Sequence, residues 1–369
     1  MAATRLPIMA AMTRTWDVFC RVIDNHGDLG VAWRLCADLV ARGERARLWV
    51  DDACALSWMA PDGHAGVELV RWGDSPPDIA PSDVVVECFG CDPPARFLQR
   101  MASMATAPVW INLEYLSAEA YAERSHGLPS PVRVGPGRVL QRRFHFPGFT
   151  PASGGLLREP GLLEAWRDFD RDRWLHAHGL APGAGERLVS LFCYSNAALP
   201  ALLDVLAAEP TLLLVTPGAP ANQVHALRGA APRRGKLRAH FLAYLTQADY
   251  DRLLWACDLN FVRGEDSFVR AQWAARPFVW QAYPQSGGVH RVKVQAFLDR
   301  FLQGVDYALA APLIRLWRAW NDGDASPLAQ TDTLPEGRAW RAHCEAWRDG
   351  LAAQPDLVTQ LIRYVGQTR

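Results

Sequence analysis

The chain has 369 residues, half of them hydrophobic and 21% charged, a composition that excludes bulk disorder. It is longer than the about 250–300 residues at which single hydrophobic cores stop growing, so two domains are expected. Lys plus Arg equals Asp plus Glu at 39 each, so no overall field recruits nucleic acid or an anionic membrane. Apolar runs such as Leu212 to Val215 and Tyr307 to Ile314 fall far short of the roughly 20 residues of a bilayer span. No membrane segment is expected. The start lacks an unbroken apolar stretch with a cleavage site, and the 8 cysteines sit mostly inside apolar segments. Both features point to reduced thiols and a cytoplasmic protein.

In chain order, residues 1–14 read as an N-terminal extension. Trp16 to Ile23 is a short run rich in β-branched and aromatic residues, bounded by Asp24-Asn25-His26-Gly27-Asp28, which predicts a strand followed by a loop. Val31, Leu35, Leu39 and Val40 recur at helical spacing and Gly43 stops the helix. Strands are expected next at Arg47 to Val50, Asp83 to Cys88 and Pro108 to Leu113. Strand, helix and strand at these lengths suit right-handed parallel crossovers, hence a doubly wound sheet.

Between Gly135 and Gly185 the pattern breaks into Pro- and Gly-rich loops and one helix, Leu162 to His178. Strands resume at Leu188 to Tyr194, Thr211 to Thr216, Leu237 to Leu242, Asp258 to Val262 and Pro277 to Tyr283. Amphipathic helices fill the remainder. The expected fold class is therefore α/β, with an N-terminal Rossmann-like domain over 15–182 and a C-terminal one over 183–350. A last helix over 351–369 is expected to pack back on the first domain.

Open α/β sheets bind ligands at the carboxyl ends of their strands, and the loop from Ile23 to Gly30 lies at such an end. Two carboxylates there, Asp24 and Asp28, would repel a pyrophosphate; they suit a cation, or a proton to be removed. The competing reading is that Asp28 merely caps a helix. A second strand end, Phe261 to Ser267, precedes a helix whose free amides, with the Ser267 hydroxyl and the Arg263 guanidinium, suit a diphosphate. A third set gathers Phe192, Tyr194, Tyr244, Gln247, Tyr250, Tyr283 and Gln285 at strand ends of the second half, where rings can stack a base or ribose. Cys88-Phe-Gly-Cys91 has no second pair to complete a zinc site, and Asp168-Phe-Asp170 falls within the expected helix, where positions two apart diverge. Neither is expected to bind metal.

The segments WDVFCRVIDNHGDLGVAWRLCADL, INLEYLSAE, FPGFTPASGGLLRE, LFCYSN, DRLLWACDLNFVRGEDSFVRAQWAARPFVWQAYPQ and HRVKVQAFLDRF together resemble the elongation factor P arginine rhamnosyltransferase family. The resemblance implies two facing Rossmann-like domains in the GT-B arrangement. It implies inverting transfer of rhamnose from dTDP-β-L-rhamnose to an arginine of elongation factor P, with no metal or other cofactor. By position, Asp28 would be the general base, Asp24 would orient the acceptor guanidinium and Glu265 would support the reacting centre. Phe192, Tyr194, Tyr244, Gln247, Tyr250, Arg263, Asp266, Ser267 and Tyr283 would hold the nucleotide-sugar. A GT-B transferase with a small-molecule acceptor and a non-catalytic nucleotide-sugar-binding protein are the alternatives.

Overall fold

The computed structural model describes residues 13–23, 26–228, 233–330, 334, 335 and 337–368. Asp24 and all but the last two residues of the expected extension lie outside them. The first half holds β1 (Thr15–Cys20), β2 (Arg45–Val50), β3 (Val67–Arg71), β4 (Val84–Cys88), β5 (Val109–Leu113), β6 (Pro129–Arg133) and β7 (Val139–His145). They form one sheet in the order β3-β2-β1-β4-β5-β7-β6, in which only β6 runs antiparallel to its neighbour. β4 and β5 are buried at every position, as strands must be when helices cover both faces of a parallel sheet.

The second half repeats the plan with β8 (Arg187–Leu191), β9 (Thr211–Val215), β10 (Arg233–Arg234), β11 (Leu237–Phe241), β12 (Leu259–Arg263) and β13 (Phe278–Gln281), ordered β10-β11-β9-β8-β12-β13. Apart from the short antiparallel β10, each pairing in this sheet is parallel. In both sheets the first parallel strand lies between the second and the fourth, so the strand order reverses beside β1 and beside β8. Such reversal points open a crevice above the carboxyl ends of the strands.

α1 (Gly27–Ala41) is buried along most of its length, Trp33, Arg34 and Asp38 included. A helix hidden on nearly every side has neighbours on two faces: α1 covers its own sheet and meets α2 (Gln247–Ala256) and α3 (Asp266–Ala274) of the other half. One apolar core accordingly runs through both halves. α4 (Val289–Phe301) and α5 (Tyr307–Asp322) follow, and α6 (Gly337–Ala352) leads to α7 (Leu357–Gln367). α7 lies on the first half: the Leu357 amide donates to the Leu156 carbonyl at 2.9 Å, and Arg42 of α1's C-cap pairs with Asp356 at 2.9 Å.

Two expectations differ from the structure. The stretch after Gly135 contains β7, which pairs with β5 inside the sheet. Its burial alternates from Val139 to Phe144, with Leu140, Arg142 and Phe144 more sheltered than their neighbours, and the arginine at one of these sheltered positions masks the alternation. The expected helix from Leu162 to His178 is two helices, Leu162–Arg167 and Arg171–Ala177. Asp170 breaks the run because its carboxylate caps the second helix, accepting from the Arg173 amide at 3.0 Å, a better use of that side chain than a mid-helix position.

Candidate active site between the two halves

Asp28 stands in the first turn of α1, above the carboxyl end of β1, and is 3% exposed. Its two oxygens are held from different segments: the Ile23 amide donates to Oδ2 at 2.9 Å and the Tyr115 hydroxyl to Oδ1 at 3.4 Å. Helix-capping contacts to the following turn are not what fixes it, since the N-cap position is His26. Glu265 arrives from the other half, one residue before α3, and its Oε2 accepts the Leu116 amide at 2.9 Å. Burial, with the Asp28 carboxylate nearby, pushes Glu265 up to about 8, although Lys293 of α4 pulls the other way. Two acids of opposite halves thus meet on consecutive residues, Tyr115 and Leu116, of one segment beyond β5.

Beside this pair lies a cavity of about 370 Å³ lined from both halves, by His26, Gly27 and Trp58 on one side and by Phe192, Tyr194, Tyr244, Tyr250, Arg263 and Glu265 on the other. The Arg263 guanidinium sits between two rings, 4.5 Å from the Phe192 centroid and 4.4 Å from that of Tyr194. Stacking of this kind orients the planar cation and leaves its edge for an anion. Tyr194 is in turn edge-on to Tyr283 at 5.4 Å, and Phe192 to Tyr250 at 5.8 Å. Phe192, Tyr194, Tyr244 and Tyr250 of the expected aromatic set thus line the cavity, whereas Tyr283 reaches it only through Tyr194.

Ser267 is buried and committed to the turn: its hydroxyl donates to the Arg263 carbonyl and accepts the Arg263 amide at 3.1 Å. It shapes the start of α3, whose first amides face the crevice end of the sheet. Gln247 and Asp266 are committed to the seam between the halves. Gln247 Nε2 donates to the Gly30 carbonyl at 3.0 Å, and Asp266 pairs with Arg34 of α1 at 2.9 Å. Both line the cavity while joining the two halves.

Three contributors escape the sequence reading. Trp58, in the first half, packs on Tyr244 of the second with ring centroids 4.6 Å apart, and His26 lies edge-on to it at 5.3 Å. Arg34 is a lone cation on the buried side of α1, a signal visible in the sequence because an arginine interrupts an otherwise apolar helix. Tyr115 sits in the INLEYLSAE segment but has no motif of its own. The Cys88 thiol is buried, and Cys91 donates to the Phe19 carbonyl at 3.3 Å, so this pair serves the core. Among the described residues no group of three or more His, Cys, Asp or Glu is placed to hold a metal ion, and no helix is long and apolar enough to cross a membrane.

Residues 16–366 match the family model described as Elongation-Factor P (EF-P) rhamnosyltransferase EarP. The chain belongs to the EarP family. Two EarP relatives named protein-arginine rhamnosyltransferase are 42% identical to it: that of Pseudomonas aeruginosa over 95% of this chain and 98% of its own, and that of Pseudomonas putida over 96% and 99%. A solved EarP structure, described as the structural basis for EarP-mediated arginine glycosylation of translation elongation factor EF-P, is 32% identical with a TM-score of 0.67, covering 97% of this chain and 100% of that one. A UDP-glucosyltransferase from Polygonum tinctorium shares the fold alone, at 12% identity and a TM-score of 0.54 over 97% of this chain and 99% of that one. The EarP chain described above therefore has the two-domain GT-B architecture expected from its sequence.

Proposed function

We propose that the chain is an inverting glycosyltransferase that moves L-rhamnose from dTDP-β-L-rhamnose to an arginine side chain of elongation factor P. The observation that carries this reading is the meeting of Asp28 and Glu265, from opposite halves, beside a cavity whose second-half side also carries a guanidinium over two aromatic rings. Membership of the EarP family supports the sugar, the base and the acceptor. A translation factor as acceptor supports a reaction in the cytoplasm.

In this reading the second half takes the donor. Tyr244, Tyr250, Phe192, Tyr194 and Tyr283 enclose the nucleoside, and Arg263 with the amides at the start of α3 neutralises the diphosphate. The acceptor guanidinium enters from the first half. With a pKa above about 12 it is a poor nucleophile, so carboxylates must orient it and remove a proton as it reacts. A guanidinium nitrogen forms a bond to the anomeric carbon while the carbon–oxygen bond to the diphosphate breaks on the opposite face. The bonding electrons leave with the nucleoside diphosphate, and the nitrogen's proton passes to Asp28. Asp24 orients the acceptor, on its sequence position alone, and Glu265 supports the reacting centre. Diphosphate neutralisation by Arg263 and α3 assigns no task to a metal ion.

Purified protein mixed with dTDP-β-L-rhamnose and elongation factor P is expected to increase the mass of the factor by one deoxyhexose, with EDTA leaving the rate intact. An unmodified factor would refute the acceptor or donor assignment. Loss of activity in EDTA that Mg²⁺ restores would refute the metal-free step. Modification of small amines in place of the factor would favour a small-molecule transferase of the same fold.

A further inference from the structure

The segment that follows β5 carries more than its motif suggests. Tyr115 donates to Asp28 and the next residue, Leu116, donates through its backbone to Glu265. The Tyr115 ring is fixed in turn by Phe89, stacked on it with centroids 4.3 Å apart and planes at 13°. Phe89 adopts a left-handed backbone with φ of 60°, a strained conformation for a bulky residue that persists where the surroundings impose it. Phe89 directly follows β4, the strand beside β1 at the reversal point of the sheet, and its amide donates to the Leu113 carbonyl at 2.7 Å. The strained turn therefore delivers a ring that stacks on Tyr115 and restricts how the phenol can tilt.

We propose that Tyr115 is a positioning residue of the reaction: the Tyr115–Leu116 step holds Asp28 through the phenol and Glu265 through the backbone amide. One turn thereby sets the spacing of both carboxylates, and does so only while the two halves are together, because Glu265 belongs to the second. The proposal rests on Asp28 and Glu265 acting as assigned above. The hydroxyl contact is long, as catalytic hydrogen bonds often are before a substrate arrives. Around the pair stand Cys20 of β1, Cys88 of β4, Glu114 of the same segment, Asp266 of α3 and Lys293 of α4, whose ammonium is 5.9 Å from the Tyr115 ring. Only Lys293 among them brings a cation.

Tyr115→Phe keeps the ring on Phe89 and removes only the hydroxyl, so its thermal melt is expected to match that of the parent. In steady-state assays with dTDP-β-L-rhamnose and elongation factor P, kcat should fall about tenfold to a hundredfold, less than the about 10²–10⁴-fold that loss of the base itself would cost, with donor KM unchanged. Loss of a donor to the carboxylate also favours its protonated form, so the acid limb of the kcat/KM profile should move to higher pH. Phe89→Leu keeps the phenol but frees the ring; it should lower kcat too, and the double variant should lose less than the product of the single losses. A Tyr115→Phe enzyme with parental kcat, a loss of kcat without movement of the acid limb, or a raised donor KM at unchanged kcat would each overturn the proposal. Absence of transfer by the unsubstituted protein would instead refute the assigned reaction, so the two failures are distinct.

Discussion

The Arg263 guanidinium lies over the rings of Phe192 and Tyr194, and the chemistry of the site follows from which way its remaining N–H groups can turn. Charge-assisted hydrogen bonds are worth about 1.5–3 kcal/mol, so Arg263→Ala should weaken donor binding by roughly tenfold to a hundredfold, read by calorimetry with dTDP. Undiminished affinity would remove Arg263 from the diphosphate. Asp28→Asn has the opposite signature: it keeps the shape and one acceptor oxygen while losing the base, so donor affinity should persist as turnover falls by about 10²–10⁴. An Asp28→Asn enzyme that turns over normally would dismiss it as the base. These residues were legible in the sequence because each stands at a strand end with chemistry its neighbours cannot supply. Trp58 and Tyr115 were not, since nothing local tells which strand ends of one half will face which of the other.

The helices α1 and α3 cross at Gly30, and this crossing decides how close the halves come. A Cβ at that position would lie 3.3 Å from Gln247 Nε2 and 3.4 Å from Asp266 Oδ2, tight enough to require both side chains to give way. Replacing a helical glycine by alanine ordinarily gains about 1 kcal/mol. Gly30→Ala is expected to show none of that gain in a denaturant melt and to weaken dTDP binding, because the displaced groups line the cavity. A gain in stability at full affinity would mean that the halves sit further apart. Elements were readable wherever burial forces a continuous apolar run, as in β4, β5, β9 and β12. β7 was not, because Gln141, Arg142 and Arg143 carry charge and amide through a strand whose burial alternates, with Arg142 satisfied only in three dimensions by Glu87 of β4. Asp170 shows the same limit from the other side: a break inside a helix-like pattern depends on one capping carboxylate.

At the scale of the whole molecule, the seam is closed by a buried charge cluster. Arg34 of α1 pairs with Asp251 of α2 at 3.1 Å, Asp266 of α3 at 2.9 Å and Glu159 at 3.2 Å, while Arg270 of α3 pairs with Asp251 at 2.7 Å and with Glu159 at 2.6 Å. Burial alone would raise Glu159, yet the Arg270 and Arg34 guanidiniums overcome it and hold the carboxyl at about 2 instead of its usual 4.5. A carboxyl depressed on folding stabilises the folded state above its unfolded value and stops doing so as pH falls through the folded one. Stability should therefore decline between pH 4.5 and about 2, and Glu159→Gln should flatten that part of the curve. Arg34 is the only member of this cluster on the first half's α1, so Arg34→Ala leaves Asp251 and Asp266 facing one cation where two stood. Removing one partner of a buried ion pair costs about 3–5 kcal/mol, which a urea melt would register. The same substitution releases Asp266 at the mouth of the cavity, so donor affinity should fall along with stability. Arg34→Ala with parental stability would show that the seam is held by its apolar core alone, and parental stability with weakened dTDP binding would confine Arg34 to orienting Asp266.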